Sequence, residues 1–339
     1  DAAAWLGTDP GTGLPTSPVR IDDLDGVTVA MCAEHWRHEL QLDDLNHFRD
    51  LARAESPAAS LRATAGDPGR SRRYRRFIRP LGFHDELRSV LRVGAAPWGT
   101  VTLWRRDSSP VFTTADTELL ASLSAPLGEA LRGHARPSEP IGDRPVGIAA
   151  HDRPGLLSFD VDGELASIND EARQWLAELP DEPAVATDHA VAIPLWMLIT
   201  MFRAAALRHG AGDGTARTRV RTRRGRWLVC HASCLSGPDD VPAGTALVIE
   251  PAQPAAIAPI VVEAYDLSGR EQQIVQLIAR GVSTAEIAAE LVLSPHTVRD
   301  HIKAIFAKAE VSSRGELTAK LFAEFYEPIH SAEVIRAAR

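Results

Sequence analysis

Hydrophobic positions recur with two different periods along the chain, and each period predicts a different element. Residues 86–106 alternate apolar and polar side chains on both sides of a short turn, which predicts two antiparallel strands. Residues 113–132 place leucines three and four positions apart, which predicts an amphipathic helix that starts at a capping box of Thr113 and Asp116. Another helical stretch is predicted over about residues 27–54.

The same two signals return between residues 154 and 250. Residues 155–179 predict a strand, a turn, a second strand and a helix, with Asp162 and Gly163 forming a two-residue hairpin turn. An amphipathic helix follows from Pro194. Three more strands are predicted at residues 215–222, 225–235 and 244–250. The fold class predicted for the chain is therefore α+β, with antiparallel sheets.

Four short helices are predicted between residues 267 and 325, each with a recognisable start. Three starts are capping boxes, in which a serine and a glutamate satisfy each other's backbone amides: Ser268 with Glu271, Ser283 with Glu286, and Ser313 with Glu316. The fourth start is Ser294, followed by Pro295 at the first helical position. Gly281 ends the first helix and Pro328 closes the last.

The third of these helices, about residues 295–309, has two distinct faces. One stripe is apolar and consists of Val298, Ile302, Ile305 and Ala309, with Phe306 beside it. The opposite face carries His296, Arg299, Asp300, Lys303 and Ala307. The preceding helix, residues 284–291, is predicted to bury Ile287, Ala288 and Leu291. Only three residues separate the two helices, which predicts a helix-turn-helix whose second helix enters the major groove of DNA.

The motifs LSGRE, GVSTAEIAAEL, SPHTVRDHIKAIFAKAEV and SSRGEL occur in this order over about sixty residues. In pattern and spacing they resemble the LuxR-type DNA-binding domain of bacterial transcription regulators. The resemblance implies that Arg299 and Lys303 reach into the major groove and that Ser294 and Thr297 lie near phosphates. The predicted DNA-binding set is completed by Ser283, Thr284, His296 and Asp300.

Two departures from the family pattern bear on this interpretation. Asp300 puts an acid on the reading face, where it would repel phosphate but could accept a hydrogen bond from a cytosine amino group. The run Lys308-Ala309-Glu310 replaces the usual lysine, leucine and glycine, which could shift how the fourth helix meets the third. The family's dimer contact lies on the last helix, here Leu317, Leu321 and Phe325. Their apolar stripe is equally consistent with a helix core.

Residues 266–325 carry seven basic and eight acidic side chains, so this segment is not a basic patch. Because sequence-independent affinity for DNA grows with the number of phosphates neutralised, a single copy should bind weakly and a homodimer is predicted. The balanced charge also leaves open a small helical bundle that does not bind nucleic acid.

Upstream, the hairpin followed by a closing helix resembles a GAF domain, and the second set of strands and helices resembles a reduced PAS domain, with Asn169 at the family's asparagine position. The predicted domains are therefore a GAF-like sensor (1–133), a linker (134–145), a PAS-like domain (146–250), a linker (251–263), a LuxR-type domain (264–329) and a tail (330–339). Both resemblances imply sensing of a small-molecule effector, whose pocket is unknown.

Two arginine-rich segments are candidates for a second nucleic-acid-binding site. One is the run Arg70, Arg72, Arg73, Arg75, Arg76 and Arg79, interleaved with Tyr74, Phe77 and Ile78. The favoured interpretation is a helix with a solvated basic face and inward-facing aromatic rings. The other is the alternating set Arg217, Arg219, Arg221 and Arg223, which shares one face of a strand. We expect that face to meet water, with DNA phosphates or an acidic partner as alternatives.

Composition limits the remaining functions. The chain has 339 residues, 45% of them hydrophobic and 24% charged, and no apolar run long enough to span a bilayer, so no membrane association is predicted. Three cysteines give no disulfide framework, which favours a cytoplasmic location. Cys230, His231 and Cys234 provide too few ligands for zinc, and a haem or redox role for Cys32, His35 and His38 is a minor alternative.

We find no phosphate-binding glycine loop and no nucleophile elbow in the sequence, so we predict no catalytic residues, no cofactor and no metal. The predicted function is a sequence-specific transcriptional regulator that binds double-stranded DNA as a homodimer, contacts RNA polymerase and responds to an unknown small-molecule effector. The alternative is a signalling adaptor whose C-terminal module binds a protein such as RNA polymerase. An enzyme is the least favoured class. The effector, the operator and the sign of regulation stay open.

Overall fold

The computed structural model contains two compact units, Asp1–Leu131 with His151–Ala252, and Arg132–Ala150 with Gln253–Arg339. We call them the sheet unit and the helical unit and describe each by itself. The residues that the structure describes are 1–24, 28–135, 153–210, 214–252, 256–257, 260, 263–265 and 267–318. Within these ranges, no helix is both long enough and apolar enough to cross a membrane.

The first sheet of the sheet unit has five antiparallel strands in the order β2-β1-β5-β4-β3. Its strands are β1 (Ala2–Thr8), β2 (Pro15–Asp22), β3 (Ala58–Ser60), β4 (Phe83–Val93) and β5 (Ala96–Arg106). The predicted hairpin over residues 86–106 is confirmed as β4 and β5, with Val93 opposite Ala96 at the turn. The sequence interpretation missed β1 and β2, because the β1 stretch does not alternate and one of its two partners, β5, lies about a hundred residues away, with Trp5 opposite Val101.

Four helices accompany this sheet: α1 (Val29–Leu40), α2 (Phe48–Leu51), α3 (Leu61–Ala65) and α4 (Thr114–Ala135). The single helix predicted over residues 27–54 is wrong, because the chain forms α1 and α2 with a loop between them. In that loop the Asp44 carboxylate accepts hydrogen bonds from the backbone N–H groups of Leu45 and Arg73, and Asn46 has a φ of 56°. The capping box of Thr113 and Asp116 at the start of α4 is confirmed.

The second sheet has the strand order β10-β11-β12-β6-β7. Its strands are β6 (Gly155–Phe159), β7 (Leu165–Ile168), β10 (Arg217–Arg221), β11 (Trp227–Ser236) and β12 (Pro242–Pro251), and β8 (Ala184–Ala186) pairs with β9 (Ala192–Pro194) beside it. When the strands are numbered within each five-stranded sheet, both sheets have the order second, first, fifth, fourth, third. The two halves of the sheet unit therefore share one topology.

Two helices belong to the second sheet, α5 (Asp170–Glu178) and α6 (Leu195–Arg208). Asn169 caps α5, because its side-chain oxygen accepts a hydrogen bond from the N–H of Ala172 and another from the N–H of Leu156. This asparagine therefore joins the helix start to the first strand of its sheet. Helix α6, whose first two turns are buried, forms one continuous core with both sheets through residues such as Trp196 and Met197.

The two halves of the sheet unit are joined by a buried ion pair. Arg219 Nη1 lies 2.7 Å from Asp9 Oδ1, and both side chains are almost fully buried. The backbone oxygen of Arg219 accepts a hydrogen bond from the Thr16 hydroxyl at 2.6 Å. The expectation that the alternating arginines face water is therefore wrong for Arg219, because this face of β10 packs against the first domain of the same chain.

The basic run of residues 70–79 is largely helical with a solvated face, as predicted, except at Arg73. A 3₁₀ turn (Pro68–Arg70) precedes a continuous irregular helix over residues 72–81, which includes a π-helical turn (Tyr74–Ile78) and a second 3₁₀ turn (Arg79–Leu81). Arg73 is fully buried and its guanidinium lies 2.7 Å from the carboxylate of Glu86. The inward packing predicted for Phe77 and Ile78 is confirmed, since both are buried. The other five arginines of the run are exposed.

The described part of the helical unit contains four helices between residues 267 and 318. They are α7 (Gly269–Ala279), α8 (Thr284–Glu290), α9 (Pro295–Ala309) and α10 (Arg314–Thr318). Helix α9 packs against both α7 and α8, and α10 packs against α7. The predicted stop at Gly281 is confirmed by its left-handed φ of 77°, whereas Pro328 lies outside the described residues.

Candidate nucleic-acid interface

Helix α9 begins and ends at the residues that the sequence predicts. The Ser294 hydroxyl caps it by accepting the N–H of Thr297 at 3.0 Å, and Pro295 occupies the first position, where its missing N–H costs no hydrogen bond. The hydroxyls of Ser294 and Thr297 also lie 2.9 Å apart. Both predicted phosphate ligands therefore hold the start of the helix.

The inner face of α9 is confirmed residue by residue. Its four apolar side chains are at most 8% exposed: Val298, Ile302, Ile305 and Ala309. They pack against the neighbouring helices, where Ile287 and Ala288 of α8 are also buried. Leu291, predicted to be buried, is only half-buried because it follows the last turn of α8.

A charged contact fixes the far end of α9. Lys308 Nζ lies 2.8 Å from Glu271 Oε2, which also accepts the N–H of Ser268 in the capping box of α7. Burial alone would raise the pKa of Glu271, but these hydrogen bonds hold it below its ordinary value. The orientation of α9 is therefore set by apolar packing along its length and by an ion pair at its end.

The outer face of α9 is exposed, and it is the predicted reading face. Arg299 and Lys303 are exposed, and neither side chain forms an ion pair with any residue that the structure describes. His296 Nδ1 lies 3.0 Å from Asp300 Oδ2, one helical turn away on the same face. The acid that departs from the family pattern is therefore held beside an imidazole, while the two cations point away from the helix core.

The turn between α8 and α9 has an uncommon backbone. The N–H of Leu293 donates to the carbonyl of Ala288 and the N–H of Val292 to that of Ala289, which closes the end of α8. Val292 has a φ of 54° and is 89% exposed. A β-branched residue rarely adopts this left-handed conformation, so the turn carries strain directly before the reading helix. The sequence interpretation did not single out Val292.

Helix α8 supports the turn from its other end. Its capping box of Ser283 and Glu286 is confirmed, and the two hydrogen bonds that Glu286 shares with Ser283 lower its pKa. Arg314 donates from its guanidinium to the carbonyl of Val282 at 2.9 Å and to the Thr284 hydroxyl at 2.7 Å. The Thr284 hydroxyl, predicted to contact DNA, is therefore engaged within the domain, and Arg314 is a supporting residue that the sequence interpretation missed.

Helix α10 departs in detail from its predicted start. The Ser313 hydroxyl accepts the N–H of Glu316 at 3.1 Å, as a capping box requires. The carboxylate of Glu316 instead accepts the N–H and the hydroxyl of Ser312. The Glu316 carboxylate therefore accepts the N–H of Ser312 and not that of Ser313 as predicted, because Ser312 offers two donors to the same carboxylate oxygen.

The predicted dimerisation residues fall at the edge of the described chain. Leu317 is buried, at 1% exposure, within the helical unit. Leu321 and Phe325 lie outside the described residues. Their role in a dimer stays a prediction.

The end of α9 shows what the altered run of residues 308–310 does. Glu310 adopts a left-handed conformation with a φ of 53°, and Val311 donates its N–H to the carbonyl of Phe306 at 3.0 Å. Glycine favours this position because it has no Cβ. The chain therefore keeps the helix-ending geometry with glutamate where the family has glycine.

Residues 266–321 match the family model described as bacterial regulatory proteins, luxR family. The match covers the four helices α7 to α10 and the turn between α8 and α9. These residues therefore form a LuxR-type helix-turn-helix domain.

Two curated relatives show how far the similarity extends. The uncharacterized transcriptional regulatory protein YhcZ of Bacillus subtilis is 44% identical over 62 residues, which are 18% of this chain and 28% of that protein. The probable transcriptional regulatory protein NarL of Mycobacterium tuberculosis is 28% identical over 178 residues, which are 52% of this chain and 70% of that protein. The chain thus spans less than a third of the length of the first of these relatives.

Among solved structures, the Vibrio cholera VqmA-ligand-DNA complex is 17% identical, with a TM-score of 0.22. The alignment covers 51% of this chain and 83% of that one. No inference about this chain follows from a structural similarity of that size.

Proposed function

We propose that the protein is a transcriptional regulator that binds specific double-stranded DNA sequences through α9. The observation that carries this proposal is the exposure of Arg299 and Lys303 on the outer face of the second helix of a helix-turn-helix. Both are long cations one helical turn apart, which suits them to guanine edges in a major groove. His296 and Asp300 would add a second, more polar contact on the same face.

Binding as a homodimer follows from the charge of the domain. Residues 266–325 carry seven basic and eight acidic side chains, so one copy neutralises few phosphates. Two copies on adjacent half-sites would double the contacts and fix their spacing. The dimer contact proposed for this arrangement is the last helix, with Leu317, Leu321 and Phe325.

The sheet unit is proposed to be the sensor, with a GAF-like first domain at residues 1–133 and a PAS-like second domain at residues 146–250. The shared strand order of the two sheets and their common core support a single sensing unit. An effector bound there would favour the arrangement of the chain that binds the operator. RNA polymerase is the proposed protein partner once the regulator is on DNA.

The decisive experiment measures binding to DNA fragments selected from a random pool by the purified full chain. Arg299→Ala and Lys303→Ala should each weaken binding to the selected sequence by roughly 1–3 kcal/mol and relax the preference for particular bases. Arg280→Ala is the matched control, since Arg280 is an exposed cation of the same domain outside α9. Equal losses in all three variants would contradict reading by α9.

Salt dependence separates this function from the alternative, a signalling adaptor that binds protein. Binding to DNA must weaken steeply as salt rises, because counterions are released from the phosphates that the protein contacts. Arg72→Ala and Arg76→Ala, exposed members of the basic run, should leave the DNA affinity unchanged. If no DNA fragment is retained at low salt, the adaptor becomes the better account.

A further inference from the structure

A pocket lies where the two halves of the sheet unit meet. It has a volume of about 60 Å³ and is bounded by the first sheet, by α1 and by the start of α6, which contributes Leu195 and Ile199. Strands β1, β2 and β5 provide one wall through side chains such as Leu6 and Ile21. A molecule in this pocket would touch both domains at once.

The lining of the pocket is largely apolar, with aliphatic side chains and several aromatic rings, and it contains no acidic residue, lysine or arginine. Four rings face it: Trp36, Phe48, Phe77 and Trp104. The nearby charged residues pair with one another, Arg73 with Glu86 and Arg88 with Glu39 at 2.8 Å, and none of them lines the pocket. A charged ligand would therefore pay for its desolvation without meeting an opposite charge in the lining. The pocket therefore selects an uncharged molecule with a flat face.

One polar group in the lining lacks a partner. His35 sits between the rings of Trp36 and Phe77, with centroids 5.4 and 4.7 Å away, and it lines the pocket. Its Nδ1 is buried and has no hydrogen-bond partner within the described part of the chain. Leaving a buried nitrogen unpaired costs stability, and a ligand that hydrogen-bonds to it would recover that cost.

The ionisation state of His35 fits this role. Burial, together with Arg88 and Arg73, lowers the pKa of His35 to about 3, so the imidazole is neutral at physiological pH. A neutral imidazole offers one donor nitrogen and one acceptor nitrogen. The matching ligand group is therefore a single donor or acceptor, and the cost of burying a charge disfavours a carboxylate.

We propose that this pocket binds a small, uncharged, planar molecule whose one polar edge hydrogen-bonds to His35 Nδ1, and that this molecule is the effector that holds the two halves of the sheet unit together. The pocket has less than half the volume of the roughly 150 Å³ cavity known to bind benzene, so the ligand is smaller than benzene and a five-membered ring is the upper limit of its size. The proposal rests on the sensing function of the sheet unit, and it requires nothing of α9.

The test uses the full-length protein without DNA and two probes of similar shape, pyrazole and thiophene. Pyrazole presents adjacent N–H and N groups, whereas thiophene has no N–H. Ligand-observed NMR titration should show saturable binding of pyrazole, with thiophene about 2- to 10-fold weaker, the range of one neutral hydrogen bond. His35→Leu should reduce pyrazole to the affinity of thiophene. The exposed His209→Leu is the control and should change neither affinity.

Two variants fill the pocket from opposite walls, Ile199→Phe from α6 and Ala4→Leu from β1. Each should abolish binding of both probes. If one variant unfolds, the result is taken from the other variant, provided that it keeps the thermal stability of the parent. The proposal is overturned if pyrazole shows no saturable binding, if its binding survives a folded filled variant, or if its advantage over thiophene persists in His35→Leu. Because no DNA is present, none of these results depends on the DNA-binding proposal, whose own test is the Arg299→Ala measurement.

Discussion

Cations of the sheet unit and cations of the helical unit serve opposite purposes. In the sheet unit, Arg73, Arg88 and Arg219 are almost fully buried, and each is paired with a carboxylate at 2.7–2.8 Å. In the helical unit, Arg299 and Lys303 are exposed and form no ion pair with the described residues. The buried arginines stabilise the fold, and the exposed cations are available to a partner.

This difference shows that the density of basic residues in a sequence is a poor guide to nucleic-acid binding. The two arginine-rich segments contain structural ion pairs, whereas the proposed reading face has only two long cations and an acid. A buried guanidinium needs a carboxylate close to it, and that carboxylate is usually distant in sequence. The periodic context of a cation, apolar on one side and polar on the other, carries more information than the number of its basic neighbours.

The largest effect expected from this comparison is on Arg73. Arg73→Ala would leave the Glu86 carboxylate buried without its ion-pair partner, with one hydrogen bond from the Trp104 indole N–H at 3.3 Å and only the more distant charge of Arg88 to offset it. Because an uncompensated buried charge is costly, the free energy of unfolding should fall by about 3–5 kcal/mol in urea denaturation. Arg72→Ala, one residue earlier and exposed, should change it by less than about 0.5 kcal/mol. Similar losses in both variants would mean that the buried pair is not what distinguishes this run.

A smaller loss is expected at the junction of the two domains. Arg219→Ala removes the partner of Asp9, but Asp9 keeps a hydrogen bond from the N–H of Gly11 at 2.9 Å. We therefore expect a loss of about 3 kcal/mol, at the lower end for a broken buried pair. Urea denaturation with the exposed Arg224→Ala as control measures it. A loss below about 1 kcal/mol would show that the apolar core alone holds the two halves together.

These two pairs also mark the limit of prediction from sequence. Helix α9 was predicted to the residue, because its cap, its first-position proline and its apolar stripe all lie within fifteen positions. Asp9 and Arg219 are 210 positions apart, so no local pattern links them. Arg73 looked solvated because its neighbours Arg72, Arg75 and Arg76 are, and only the position of Glu86 on β4 reveals its environment.

The same distinction between local and distant signals applies to the candidate site. The exposure of Arg299 and Lys303 followed from helical periodicity. The use of the Thr284 hydroxyl by Arg314 did not, because it depends on how α10 docks thirty residues later. The pocket at His35 was also beyond local reasoning, since its walls come from β1, α1 and α6, which are far apart in sequence.

The buried polar groups of the sheet unit also predict a response to pH. His35 faces Arg88, Arg73, Glu86 and Glu39, and its pKa in the folded chain is lowered to about 3. The unfolded chain therefore binds a proton below about pH 6.5 that the folded chain does not. As a result, stability must fall as the pH decreases from about 6.5 towards 3.

The contribution of His35 to the pH dependence of stability can be isolated between pH 6.5 and 5, above the range in which unfolded carboxylates titrate. There His35 contributes a slope of up to about 1.4 kcal/mol per pH unit to the free energy of unfolding. In His35→Leu, chemical denaturation at several pH values should show a slope reduced by about that amount. His209→Leu should keep the parent slope, and an unchanged slope in His35→Leu would mean that the imidazole is solvated in the folded protein.

The smallest effect concerns the turn before the reading helix. The φ of 54° at Val292 strains a β-branched residue, whereas asparagine tolerates that conformation. Val292→Asn should therefore raise the stability of the helical unit by about 1 kcal/mol, measured by thermal unfolding. Val241→Asn is the control, because Val241 is also exposed but has a φ of −66° and no strain to relieve.

DNA binding by Val292→Asn then tells whether the strained turn only supports α9 or belongs to the interface. The Val292 side chain is 89% exposed and three residues before Pro295, so it could contact a thymine methyl group or a sugar. An unchanged affinity for the selected sequence would make the turn a purely structural link. A stabilised domain with weaker binding would mean that the exposed apolar side chain of Val292 contacts the DNA, as proposed for Arg299 and Lys303, which form no ion pair with the described residues.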